Sequence, residues 1–306
     1  MTNKLFDRII NIELIRKNGT RVFLTCPKTG RKPSITISGQ FTGGIVSHFT
    51  LKLVNFYSSS TLDNDGQGGS SYEFIRVYAG YGDKIYTALS GQVFVAYQAK
   101  PGPDHEVVME CLVASYENWV TKSYNKNWAK GTPLNTIFRE MASLLSTTSV
   151  RVGLRSYIPD SLVLNSEFSA CSSVAESADK LSKAYGLNAV PEGEALVVLP
   201  VSVEGVSTGI VHVLDFVTSV KKSAAGVTVT APWVPNIKPF DTVRVDSRYF
   251  SVDYGGTAVQ SLIDYMVITV DFSFSTNGTE NTMTLLTAGL PKVNKAYVAG
   301  RGAQPP

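Results

Sequence analysis

"IRVYAGYGDKIYTALSGQVFVAYQ", residues 75–98, decides how the chain is read. Apolar and polar side chains alternate on both sides of Gly80-Tyr81-Gly82-Asp83. That is the period of a half-buried strand. Two such runs around a glycine turn make a β-hairpin. Val77, Ala79, Ile85, Val93 and Val95 are its expected core positions. The hairpin carries no catalytic pair, so the sheet itself is expected to be the functional part.

Working outward, residues 8–56 read as successive strands: "RIINIELIR", "RVFLT", "SITISG" and "IVSHFTLKLVNF". In the last, Ile45, Ser47, Phe49, Leu51, Leu53 and Asn55 share one face, and Val46, His48, Thr50, Lys52 and Val54 the other. A polar loop, "YSSSTLDNDGQGGSSYE" at 57–73, precedes the hairpin, and the strand "DHEVVMECLVASYENW" follows it. Loops this long inside a domain are uncommon and often functional. Residues 1–120 therefore read as one antiparallel β-barrel or sandwich.

The pattern changes at Thr132, a candidate cap, followed by Pro133 at the first helical position. Leu134, Ile137, Phe138, Met141, Leu144 and Leu145 then recur at helical spacing. A second helix starts at Ser173, with Glu176 completing a capping box. Val174, Ala178, Leu181 and Tyr185 form its stripe, and Gly186 ends it. "LNAVPEGEALVVL" is a hairpin closing a small α/β unit. From about 209 the period returns to two, in "IVHVLDFVTSV", "GVTVTA", "DTVRVD", "YFSVDY", "MVITVDFSF" and "NTMTLLT". The fold class is thus mainly β, with two antiparallel β-barrel-like domains flanking a small α/β domain. The boundaries are 1–120, 121–204 and 205–290, with an extended tail at 291–306.

Composition narrows the function. The 306 residues carry a net charge of +3, with 43% hydrophobic and 17% charged residues. That balance is globular and favours sheet. The charge is too small to argue for nucleic-acid binding. "MTNKLFDRII" lacks the apolar core of a signal peptide, and no run approaches the ~18 apolar residues of a membrane span. No membrane anchor is expected. Cys26, Cys111 and Cys171 are read as reduced, buried thiols of a protein made in a cytoplasm.

Several motifs tempt a chemical reading. Gly205-Val206-Ser207-Thr208-Gly209 spells a nucleophile elbow, but strand follows where a helix is needed, and no histidine lies beyond His212. Asp63-Asn64-Asp65-Gly66 resembles the middle of a calcium loop. With Gly66 sixth, however, Thr61 and Tyr72 stand where carboxylates belong. Gly80-Tyr81-Gly82 is half a dinucleotide fingerprint, with Ile85 in place of the third glycine. His48, His105 and His212 lack ligand spacing. Trp119, Trp128 and Trp233 suit either core packing or partner anchoring. No enzyme activity, cofactor or metal is expected.

A family resemblance enters through "FIRVYAGYGDKIYTALSGQV", preceded by "LKLVNFY" with Asn55. It continues through "DHEVVMECLVASYENW", the "TPLNTIFREMASLL" helix, "VAESADKLSKAYGL", "ALVVLP" and "VTVTAPWVPNIKPFDTVRV". In order and spacing these resemble phage tail baseplate hub proteins, the contractile-tail hubs related to the N-terminal part of type VI secretion spike proteins. The resemblance implies a homotrimeric ring in the virion tail, adapting a sixfold tail tube to a threefold spike around the DNA channel. It implies tail tube protein, spike protein and tape measure or wedge proteins as partners, with DNA passing the lumen without specific binding. The 57–73 loop, with Asp63, Asp65 and Tyr72, is the expected contact with a neighbouring tail protein. Two other readings stay open, a siphophage tail-tip protein and a carbohydrate-binding or hydrolytic β protein.

Overall fold

A computed structural model describes residues 8–25, 34–43, 47–55, 72–99, 106–113, 116–147, 150–201, 211–214, 217–223, 226–246, 253–254, 257–258, 262–276 and 281–293. The first β region contributes β1 (Arg8–Arg16), β2 (Arg21–Thr25), β3 (Ser34–Thr42), β4 (His48–Val54), β5 (Tyr72–Tyr81), β6 (Lys84–Ala99) and β7 (Glu106–Val113). Between the β regions lie α1 (Tyr116–Thr121), β8 (Ser123–Trp128), α2 (Leu134–Leu144), β9 (Gly153–Ser156), β10 (Phe168–Ser173), α3 (Val174–Tyr185), β11 (Leu187–Glu192) and β12 (Ala195–Pro200). The second β region follows with β13 (Val211–Leu214), β14 (Ser219–Ser223), β15 (Gly226–Ala231), β16 (Thr242–Asp246), β17 (Asp253–Tyr254), β18 (Thr257–Ala258), β19 (Leu262–Ser275) and β20 (Asn281–Val293).

Mainly antiparallel β structure with few helices is what the alternating sequence demanded. The two β regions share one 13-stranded sheet, in the order β14-β15-β20-β19-β3-β4-β7-β6-β5-β1-β2, with β16 and β13 branching from β19. The joint is the antiparallel pair β3–β19, from Thr36↔Ser275 to Thr42↔Thr269. Among the described residues no ladder joins β2 to β14, so the sheet stays open. Its far end nevertheless folds back. Arg8 of β1 donates to the Ser275 carbonyl at 2.9 Å and lies over the Phe274 ring. One core runs from Ile10 and Ile12 through Phe49 and Leu51 to Trp233, Phe272 and Leu285.

Gly82, at φ 58, makes the β5–β6 turn, a conformation that costs a side-chain-bearing residue energy. Val77, Ala79 and Val93 are buried as the alternation requires. Ile85 and Val95 are not: they are 44% and 38% exposed. Two β-bulges explain the difference. The register passes from Val77↔Leu89 to Tyr78↔Thr87, and from Val93↔Cys111 to Val95↔Glu110. Ala88 and Phe94 are thus the extra residues, and each inverts the faces beyond it.

A second core belongs to the α/β unit. It gathers Trp119, Trp128, Leu134, Phe138, Met141, Ala178, Leu181 and Leu196. Around it stand the sheet β11-β12-β9 and the pair β10-β8. All three tryptophans are therefore core residues. Ser173 caps α3 as expected, its side chain accepting from the Glu176 amide at 3.2 Å. Ser173→Ala is expected to lower unfolding free energy by about 1 kcal/mol, read as a urea midpoint shift. The predicted cap at Thr132 is not used. Its hydroxyl donates to the Ala129 carbonyl, α2 begins at Leu134, and the Leu134 amide bonds to the Leu162 carbonyl. Cys111 is buried, and burial pushes its thiol pKa up. Cys171, expected inside, is exposed on β10 beside Asn125, and Cys26 lies outside the described residues.

Glu140 ties α2 to β8. Its Oε2 accepts from Lys126 Nζ at 2.7 Å, Tyr124 Oη at 3.0 Å and Trp128 Nε1 at 3.2 Å. Burial alone would raise its pKa, but these three donors hold it below its ordinary 4.5. A depressed carboxylate contributes stability above its unfolded-state pKa, and loses it as pH falls through the folded one. Glu140→Gln is therefore expected to cost about 1 kcal/mol at pH 7, kept small by solvent screening. The gap to wild type should close in the acid range below 4.5, followed by urea melts across pH.

Candidate functional site: a hydroxyl-lined sheet face

Alternation places the apolar side chains of six adjacent strands on one face of the large sheet and leaves the opposite face polar. One row crosses it, through the register pairs Ser219↔Thr230, Thr230↔Thr284, Thr284↔Asp271, Asp271↔Gln40 and Gln40↔His48. A second row runs Thr282, Ser273, Ser38, Thr50, Glu110 and Val95. Serine and threonine in a strand keep its β propensity while presenting hydroxyls to water. Both rows cross the β3–β19 joint without interruption. Hydrogen bonds tie it, from Gln40 Nε2 to Asp271 Oδ1 at 2.6 Å and from Thr36 Oγ1 to Ser275 Oγ at 3.3 Å.

The charge on this face is mixed. Among the described residues, Lys52 and Lys221 share it with Glu106, Glu110 and Asp271, and Lys52 reaches Glu106 at 3.8 Å. His48 is exposed there, opposite Gln40. At the β6 margin the face turns apolar, with Val95 and Tyr97 exposed and the bulged Phe94 beside them. On the edge strand β13, Val211 and Val213 are exposed as well.

The sheet is locked to the α/β unit by a charge network. Glu13 of β1 is 2% exposed. It accepts from Arg21 at 2.9 Å, Arg76 at 3.3 Å and Tyr78 at 2.9 Å. Arg76 in turn grips Glu194, in the β11–β12 turn, at 2.6 and 3.1 Å. The bond to Glu194, aided by Glu13, raises the Arg76 pKa and keeps it charged. Burial, then the bond to Glu13, raises that of Tyr78.

Of the loop residues expected to meet a partner, Asp63 and Asp65 lie outside the described residues. Tyr72 stands at the start of β5, 2% exposed, its ring under the Arg16 guanidinium. Ser207 and the glycines around it also lie outside the described residues. His212 is paired with Asp241 at 3.0 Å. Among the described residues, no group of three His, Cys, Asp or Glu side chains is placed to hold a metal ion. No described helix is long and apolar enough to cross a membrane. Sequence reasoning missed the Glu13–Arg76–Glu194 network, whose only local signal was a charged residue inside each of two apolar strands.

No family model matches the sequence, and no curated protein matches it. Solved structures do match the fold. The 43 kDa tail protein of prophage MuSo2 from Shewanella oneidensis superposes with a TM-score of 0.56 at 9% identity, over 92% of this chain and 98% of that one. A tail protein from Neisseria meningitidis gives 0.56 at 9% identity, over 93% and 97%. An Escherichia coli component of the type VI secretion system, itself described as similar to bacteriophage tail proteins, gives 0.53 at 7% identity, over 85% and 74%. Identities this low speak for architecture alone, and in architecture this chain is similar to phage tail proteins and to that secretion component.

Proposed function

We propose that the chain is a structural hub of a phage tail baseplate, three copies forming a ring around the DNA channel. The observation that carries this reading is the hydroxyl-lined face that runs unbroken across both β regions. A channel wall for DNA needs polar side chains without a strong basic field, because each neutralised phosphate tightens binding through counterion release. Hydroxyls with interspersed charges of both signs meet that need. In the ring, residues 1–120 and 205–290 act as alternating barrel-like units, with 121–204 outside them and the tail at 291–306. That gives a pseudo-sixfold surface to the tail tube and a threefold one to the spike. The role is structural and non-enzymatic, and its place is the virion tail. The 57–73 segment, with Asp63 and Asp65, meets a neighbouring tail protein such as the tape measure or a wedge protein.

Light scattering on the purified chain tests the assembly, with a mass three times 33.1 kDa expected. Averaged particle images should show a ring with a central opening. A monomer at working concentration would overturn the hub reading, and a trimer without an opening would remove the channel.

A further inference from the structure

A cavity of about 380 Å³ opens where three parts of the chain meet. The β5–β6 hairpin supplies Arg76, Tyr78 and Ser90, the α/β unit supplies Arg155, Glu192 and Glu194, and the segment before β16 supplies Lys238. That volume lies within the range of small-ligand sites. Its charges are unequally satisfied. Arg76 is held by Glu194 and Glu13, and Arg155 by Glu192 at 3.2 Å. No described carboxylate pairs with the Lys238 amine, which is half-buried and shares the cavity with two guanidinium groups.

We propose that this cavity is a socket for a carboxylate carried by a protein partner, an aspartate or glutamate side chain or a chain end, seated on Lys238. The lining carries three cations, Arg76, Arg155 and Lys238, against two carboxylates, Glu192 and Glu194, so one added negative charge balances it, whereas a phosphate dianion would overshoot. Burial, then the nearby Arg155, lowers the Lys238 pKa, against the opposing pull of Glu192, Asp241 and Glu194. An incoming carboxylate would favour the ammonium form, and charge-assisted hydrogen bonds of that kind are the stronger ones. Because the socket joins sheet, α/β unit and the segment before β16, an occupant would also fix these parts against one another. The socket is built within a single chain, so its occupancy is independent of the oligomeric state.

The experiment titrates the full chain with two probes, glutarate and the blocked peptide acetyl-Gly-Glu-Gly-amide, following binding by calorimetry. Saturable binding of the peptide is expected, at least tenfold weaker in Lys238→Gln and within about threefold of wild type in Lys238→Arg. Affinity should fall at alkaline pH, as the Lys238 ammonium loses its proton. Equal affinity in Lys238→Gln, or no saturation of either probe, overturns the socket. Saturation by glutarate alone overturns the assignment to a protein partner. A thermal melt of each variant confirms that it is folded, and the Lys238→Arg variant keeps the test decisive if Lys238→Gln is not.

Discussion

Trp233→Ala is expected to lower the free energy of unfolding by about 3–5 kcal/mol, the range for removing a buried aromatic side chain. Trp233 is 1% exposed. Its ring stacks on Phe272 at 5.1 Å, with 11° between the planes, and meets Phe274 at 4.8 Å. Its carbonyl accepts from Tyr81 Oη at 2.9 Å, binding the tip of the β5–β6 hairpin to the second β region. Relaxation could fill little of the space left, because Phe272 and Phe274 are fixed on the central strand β19. Denaturant melts followed by tryptophan-independent circular dichroism would measure the loss. A cost under 1 kcal/mol would mean that the aromatic cluster does not set the packing of the two β regions.

Arg76→Met should cost about 3 kcal/mol, the lower end for breaking a buried ion pair from one side. Glu13 keeps Arg21 and Tyr78 as donors, which holds the cost at that lower end. Arg21 is mostly exposed, so it cannot replace the buried guanidinium. Glu194→Gln should cost less, about 1 kcal/mol, because Glu194 is partly open to water. A double-mutant cycle on Arg76 and Glu194 should then give a coupling energy well below the full effect of Arg76→Met. If the two single effects are equal, the buried partner is not Glu13, and the assignment of the network's centre is wrong.

The elements that rest on period and local chemistry were legible in the sequence. β4 buries Phe49, Leu51 and Leu53 and exposes His48 and Lys52, as its spacing demands. The Ser173 cap and the Gly186 stop of α3 are equally local. What alternation cannot reveal is an extra residue. Phe94 and Ala88 look like ordinary strand positions, yet each turns the following side chains over, and Ile85 and Val95 were misplaced for that reason. Partners remote in sequence were equally hidden, as between Arg76 and Glu13 or Glu194. The polar face was visible strand by strand, in Thr50 and Lys52 for example. Its continuity depended on β3 meeting β19, which no local pattern specifies.

The same β3–β19 joint sets a timetable for synthesis. β3 is complete at Thr42, and its neighbour β19 begins at Leu262. At about 5–20 residues per second, the ribosome takes roughly 10–40 s to bridge that gap. Throughout, one edge of β3 has a row of backbone groups without the strand that will cover them. An edge of this kind recruits whatever strand arrives first, including one from a neighbouring nascent chain. Productive folding of the first β region thus ends only after nearly the whole chain has emerged, and crowded polysomes are where its yield should be most easily lost.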